Sequence, residues 1–228
     1  MTATQHGMPG EWAKVRGTVL SLWPLFLCLI ALGAFGAALV LGSRQLLFAG
    51  LFVVSLLATV VFWWTGLRRV ESFFKGARGE ERVAGLLAML PGGFHVFHDF
   101  AVGGHHVDHV VVGPTGIFSV ETKSWLGSVT VDENEIIVNG HLPDRAPVGQ
   151  ATREAAAVQA ALRRAGWTIG EVKPVLCFAS DTFVDARRAV GPVMVLNAGA
   201  AVGWIEAQPK VMSDGDVERV VQLMETCV

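Results

Sequence analysis

The sequence predicts a two-part chain: a transmembrane helical hairpin near the N-terminus, then one α/β (α+β) domain built as a mixed sheet flanked by helices. Three observations predict it. The chain is 52% hydrophobic with a mean hydropathy of +0.47, and the excess sits in one stretch: Val19 to Leu67 holds one basic residue, Arg44, and no acid. Without its first 69 residues the chain keeps about 160, of ordinary soluble composition, enough for one domain with a sizeable core. Beyond that point the segments read helix, strand, hairpin strands, helix, strand, strand, helix, an order that suits a mixed sheet and not a doubly wound parallel one. The expected divisions are an N-terminal tail over 1–18, the hairpin over 19–67, a linker over 68–78 and the domain over 79–228.

The hairpin comes first. Val19–Leu41 and Leu46–Leu67 are uncharged runs of 23 and 22 residues, and about 20 apolar residues span a bilayer core as a helix. Two buried helices of a soluble core would need others of similar length to cover them, and none follows. A cleaved signal sequence has an apolar core of only about 7–15 residues. Lys14 and Arg16 precede the first run, and Arg68, Arg69, Lys75 and Arg78 follow the second, whereas the turn has only Arg44. The positive-inside rule therefore predicts two spans of the cell membrane with both termini cytoplasmic. Trp12, Trp23, Trp63 and Trp64 lie near the span ends, and Gly33, Gly36 and Ala37 offer small surfaces for helix packing. No charged group within the runs marks a transport path, so they read as an anchor in the lipid bilayer.

In the domain, the residues from about Gly79 to Leu90 read as a helix with Val83, Leu86, Leu87 and Leu90 on one face, ended by Pro91-Gly92-Gly93. Phe94–Phe100, Val107–Val112 and Ile117–Lys123 read as strands, the last two joined by the turn signal Gly113-Pro114-Thr115-Gly116. Val129–Val131 and Ile136–Val138 form a hairpin across Asp132-Glu133-Asn134-Glu135. A helix from about Gly149 to Ala165, strands at Val172–Ala179 and Val193–Leu196, and a last helix opened by Ser213 with Asp216 in a capping-box-like position complete the set.

Charge and cysteines narrow the function classes. Net charge is −2, and from Val70 onward 13 Lys and Arg face 19 Asp and Glu. Such a domain lacks the broad basic footprint of a dedicated nucleic-acid binder. Cys28, Cys177 and Cys227 have neither zinc nor disulfide spacing, which fits a reducing compartment. Five of seven histidines fall between His95 and His109, but on an extended strand His106 faces one way and His105 and His109 the other, so they do not converge as zinc ligands.

The chemistry concentrates on one hairpin. With a symmetric loop, Val112 faces Ile117, Val110 faces Ser119, Asp108 faces Glu121 and His106 faces Lys123, and residues two apart share a face. Two opposed carboxylates repel unless a cation lies between them. A salt bridge from Lys123 on an exposed sheet face is one solution. A hard divalent ion is another, since Mg²⁺ takes one or two carboxylates and completes its shell with water or phosphate oxygens; a lysine beside it suits phosphodiester hydrolysis. Glu80 lies on the inward stripe of the first domain helix with Val83 and Leu87, and a buried acid needs a partner; its alternative role is to stabilise the helix start. Gln150 opens the helix after the second hairpin, either reaching the same place or serving as a first-turn polar residue. Trp125, just past the hairpin, reads as a rim aromatic or a stacking platform for a base.

Gly79-Glu80, the run His106-Val107-Asp108-His109-Val110-Val111-Val112-Gly113-Pro114-Thr115-Gly116-Ile117-Phe118-Ser119-Val120-Glu121-Thr122-Lys123, and Pro147-Val148-Gly149-Gln150 together resemble the nuclease-related domain, NERD, a branch of the PD-(D/E)XK nuclease superfamily. The resemblance covers roughly residues 76–178. It implies a restriction-endonuclease-like mixed sheet, with Asp108 and Glu121 as metal-binding acids and the Thr122 carbonyl as a third metal ligand. It also implies Lys123 as the catalytic lysine, supported by Glu80 and Gln150, with Mg²⁺ or Mn²⁺ as cofactor and nucleic acid, DNA foremost, as partner. Ser124 stands where the family usually has Asn or a similar polar residue after the lysine, a mild change. The expected function is metal-dependent phosphodiester hydrolysis at a membrane; the alternative is a membrane-tethered module that binds nucleic acid or protein without cleaving.

Overall fold

The computed structural model describes residues 2–41, 45–132, 135–144, 146–180, 183 and 185–226. Arg44 with its turn, the hairpin residues Glu133 and Asn134, and Cys227 lie outside the described residues. The chain divides into two compact units, Glu11–Ala77 and a second made of Met1–Gly10 with Arg78–Val228.

In chain order the elements are β1 (Thr4–His6), α1 (Glu11–Leu41), α2 (Gln45–Leu87), β2 (His95–Val102), β3 (His105–Gly113), β4 (Gly116–Lys123), β5 (Val129–Asp132), β6 (Glu135–Val138), α3 (Pro147–Arg164), β7 (Val172–Phe178), β8 (Arg187–Val190), β9 (Val193–Asn197), α4 (Ala198–Glu206) and α5 (Asp214–Thr226). The helix over 68–78 corrects the expected linker: α2 runs without a break through these residues, and no helix starts at Gly79.

Within the first unit, α1 and the apolar part of α2 are both long and apolar enough to cross a membrane, and only 6% of each most apolar window is buried. They run antiparallel. Ser55 Oγ donates to the Cys28 carbonyl at 3.2 Å, Gly66 lies against the Ser21 backbone, and Gly17 lies under the Phe73 ring. Of the glycines expected at this contact, Gly36 meets Phe52, but Gly33 has no neighbour within 4 Å. Small residues do set the approach, though not all the expected ones.

The second unit is a seven-stranded mixed sheet, ordered β1-β2-β3-β4-β7-β9-β8, with the separate hairpin β5-β6. Antiparallel pairs join β2, β3 and β4; β4, β7 and β9 are parallel. One face packs Phe97, Val110, Val112 and Ile117 against α3 and α5. The other packs Val96, Val111, Phe118, Val120 and Val175 against Val83 and Leu87 of α2 and against α4. The central strands are therefore buried on both faces, and β4 is buried from Gly116 to Thr122. The hairpin register is the predicted one, Val112↔Ile117 and Val110↔Ser119. It gains the pair Gly113↔Gly116, so the loop is Pro114-Thr115 alone. Gly113 is required there because a Cβ would run into the Phe94 ring. The last helix carries the expected reciprocal cap: Ser213 N and Oγ both donate to Asp216 Oδ2, and Asp216 N donates back to Ser213 Oγ.

Three elements had no counterpart in the sequence reading: β1, β8 and α4. The first matters most. Residues 2–10 are not a tail, because Thr4, Gln5 and His6 pair in parallel with His95, Val96 and Phe97. Gln5 Nε2 donates to the Ala3 carbonyl, which turns Gln5 Oε1 toward His98 Nε2 at 2.7 Å. His98 Nε2 is thus the donor, leaving Nδ1 to accept from His109 Nδ1 at 2.9 Å. His109 is fully buried immediately beside Asp108, packed behind it as expected.

In the full chain, Gln5→Leu leaves the buried His98 N–H without an acceptor and is expected to destabilise the domain by about 1–3 kcal/mol, whereas Gln5→Glu keeps the acceptor and most of the stability. Chemical denaturation in detergent checks this; equal midpoints for Gln5→Leu and wild type would refute the role of β1.

Candidate active site at the end of the central hairpin

The site forms where β3 and β4 part. Their ladder ends at His109↔Val120. One residue further, Asp108 does not continue the backbone pairing; its Oδ2 accepts from the Thr122 N–H at 2.7 Å. A side chain replaces a backbone partner, and this fixes the carboxyl of β3 against β4. On its other edge β4 continues with β7, pairing Glu121↔Leu176, Thr122↔Cys177 and Lys123↔Phe178. His106, expected opposite Lys123, lies beyond the end of the β3–β4 ladder and on its other edge pairs with Ala101 of β2.

Glu121 and Lys123 lie two apart on the β4 face that α3 covers. Glu121 is 3% exposed. Lys123 Nζ donates to Glu121 Oε1 and, at 3.0 Å, to Gln150 Oε1 from the first turn of α3. Pro147 starts that helix at a position where its missing N–H costs nothing. Gln150 Nε2 in turn donates to Glu154 Oε1 at 2.9 Å. Glu80 approaches from α2. Its neighbour Gly79 is buried against Ser124 and Ala179, and a Cβ there would collide with Ser124 Oγ, so the glycine lets α2 come down onto the ends of β4 and β7.

The expected residues are thus brought together: Asp108 with Thr122, Glu121 with Lys123 and Gln150, and Glu80 within the field of Glu121 and Lys123. Two more acids join them. Glu154, 4% exposed, lies on the inward stripe of α3 with Ala151, Ala155 and Val158. Asp99 stands opposite Asp108 in the β2–β3 register but is drawn out of the ladder by a left-handed φ of 51°. Stripe periodicity would have revealed Glu154, and counting back across Gly103-Gly104 would have revealed Asp99. Trp125 packs against Phe178 at the core rim; Arg163 and Arg164 are exposed, and Arg188 pairs with Asp185.

Crowded acids alter the electrostatics. Burial raises Glu80 to about 7, with Asp99 and Glu121 adding to the rise and Lys123 opposing it. Burial, then the charge of Glu121, raises Glu154 to about 9. Asp108 is pushed well above the usual carboxylate range by burial, Glu121 and Glu80, against the opposing Thr122 hydrogen bond. Behind them, burial lowers His98 to about 4 and His109 to about 3.

Among the described residues no three His, Cys, Asp or Glu side chains converge as a ready metal site. The donor set still fits a hard divalent cation, which takes only one or two carboxylates. Oε2 of Glu121 and Oε2 of Glu154 are buried with no donor nearby except a proton that the two carboxyls share, and positive charge in this place would relieve the repulsion among the acids. A cavity of about 250 Å³ lined by Lys173, Pro174, Met194 and Trp204 lies elsewhere, at the start of β7, and includes none of these residues.

Residues 75–179 match the family model described as the nuclease-related domain, NERD. The match spans Glu80, Asp108, Glu121, Lys123 and Gln150, so this part of the chain is similar to the nuclease-related domain, as the motifs suggested. Neither the curated proteins nor the solved structures give a match.

The shifts predict that stability without divalent cations falls above pH 6.5, where the two histidines no longer offset the raised acids. Glu80 and Glu154 hold protons in the fold that the unfolded chain releases near 4.5, so their contribution is full below 4.5 and is lost as pH rises through about 7 and about 9. His98 and His109 are neutral in the fold, so theirs is full above 6.5 and is lost as pH falls from there toward 4 and 3. Unfolding midpoints in EDTA should therefore fall between pH 6.5 and 9, and Glu154→Gln should flatten that limb. A midpoint that holds level or climbs over this range would contradict the assignment.

Proposed function

We propose that this chain is a membrane-anchored nuclease that hydrolyses phosphodiester bonds of DNA with Mg²⁺ or Mn²⁺. The observation that carries the reading is the gathering of Asp108, Glu121, Lys123 and Gln150, on three elements, around the point where β3 and β4 separate. Asp108 and Glu121 would hold the cation. The Thr122 carbonyl supports them: N–H and C=O of one extended residue point to the same edge, and the Thr122 N–H points to Asp108. When bound, the cation supplies charge neutralisation for the phosphate and acidifies water.

The protein's own groups do the rest. An ammonium has three N–H donors; Glu121 and Gln150 take two from Lys123, and the third is left to polarise the phosphate or orient the attacking water. In the reaction, water adds across a P–O bond: its hydroxyl goes to phosphorus and a proton reaches the leaving oxygen. Glu80, raised to about 7, is matched to proton transfer at neutral pH.

Anchoring rests on α1 and the apolar part of α2, whose apolar surfaces lie uncovered. Since β1 precedes α1 and pairs with β2, which follows α2, both flanks belong on one side of any membrane these helices cross. The basic flanking residues favour the cytoplasmic side.

The full chain in nanodiscs with Mg²⁺ should nick or degrade plasmid DNA, and Asp108→Asn and Lys123→Met should each lower the rate by about 10²-fold or more. Cleavage that survives these substitutions or persists in EDTA would overturn the assignment. DNA retained without cleavage, in EDTA as in Mg²⁺, would select the binding module, a reading that the acidic surplus of the domain favours.

A further inference from the structure

Glu154 needs an explanation. It is an acid 4% exposed among the alanines of the inward face of α3. No lysine or arginine pairs with it among the described residues, and its Oε2 is buried with no donor nearby except a proton shared with Glu121. Burying such a group costs stability, and an apolar residue of similar size commonly stabilises the fold instead. Glu154 touches two groups: the carboxyl of Glu121, with which it shares a hydrogen bond, and the amide of Gln150, at 2.9 Å and one helical turn away.

That amide has two ends and two possible orientations. As it stands, its oxygen accepts from Lys123 Nζ at 3.0 Å and its NH₂ donates to Glu154 Oε1. Turned over, it would present NH₂ to the Lys123 ammonium, donor against donor. Lys123 and an accepting oxygen at position 154 both select the first orientation; an apolar side chain at 154 leaves Lys123 to hold it alone. We propose that Glu154 is a positioning residue: it orients the Gln150 amide so that its oxygen, with Glu121, clamps the Lys123 ammonium and leaves one N–H for the reacting phosphate. This rests on the nuclease reading only for that last step; the clamp itself is a property of the free protein.

Two readouts on the full chain in nanodiscs separate the two claims. The first is amine acylation of Lys123, followed by peptide mass spectrometry and normalised to exposed Lys210. Glu154→Met should raise it about 5- to 10-fold, the scale of one lost hydrogen bond. Gln150→Ala should do the same, and the double variant should add nothing, since Glu154 acts through Gln150. Glu154→Gln, whose amide oxygen still accepts from Gln150, should stay near wild type. The second readout is DNA cleavage with Mg²⁺. Glu154→Met should lower kcat by a similar factor with KM unchanged, although its folded state is as stable as wild type or more so; a merely structural acid would lose activity only along with stability.

Unchanged Lys123 acylation in Glu154→Met, or additive effects in the double variant, would overturn the proposal. The expected acylation pattern in a chain that cleaves no nucleic acid would leave the clamp standing and remove the nuclease reading.

Discussion

One ammonium group faces four carboxyls. Lys123 bonds to Glu121 and Gln150, while Asp108, Glu80 and Glu154 crowd the same end of the sheet, where burial and mutual repulsion raise all three above the usual carboxylate range. Like charges in a poorly hydrated site cannot all ionise together. A fold selected only for stability would fill these positions with apolar residues, as it does one and two residues away at Val120 and Val110. The cluster is therefore the place where this domain departs from its own packing rules, and it is where the proposed cation would act.

The sheet makes the cluster possible by burying β4 on both faces. Phe118 and Val120 pack toward α2 and α4, and Ile117 packs toward α3. The residues that follow on the α3 face, Ser119, Glu121 and Lys123, then have a helix rather than water above them. That cover turns an exposed-face salt bridge, the simpler expectation for Lys123, into a half-buried network in which Gln150 and Glu154 take part. Asp108 reaches the network from β3 only because the ladder opens there and its carboxyl takes over the Thr122 N–H.

Much of this was legible in the sequence, and the failures have physical causes. Gly113 and Gly116 mark a tight turn, and alternation then sets Val110 opposite Ser119, so the hairpin and its register could be counted out. The count could not foresee that Asp108 would leave the ladder, because a side chain's competition with the backbone has no periodic signature. Residues 68–78 read as a linker from their charges and glycines. Gly76 and Gly79 each weaken a helix by about 1 kcal/mol, but at Gly79 the close approach of Ser124 gives the glycine a packing role that composition does not reveal. β8 begins with two exposed arginines, α4 is a short Ala- and Gly-rich segment with little contrast between its faces, and β1 is three residues long. None carries enough apolar pattern to announce itself.

The placement of β1 has the widest consequence. The chain begins the domain, leaves it at Gly10, passes through two long apolar helices and returns at Arg78. The apolar pair is thus an insertion between the first and second strands of one sheet, not a leader ahead of a finished domain. An odd number of crossings would put Gln5 and His98 on opposite sides of the bilayer, and they are hydrogen-bonded to each other. The same bond continues through His98 to His109, the residue next to Asp108. Residues that precede the apolar helices therefore complete the packing directly behind the acid cluster. A fragment that starts after those helices would lack β1, expose the edge of β2 and leave the His98 N–H without its acceptor, so the chemistry of this domain belongs to the whole chain.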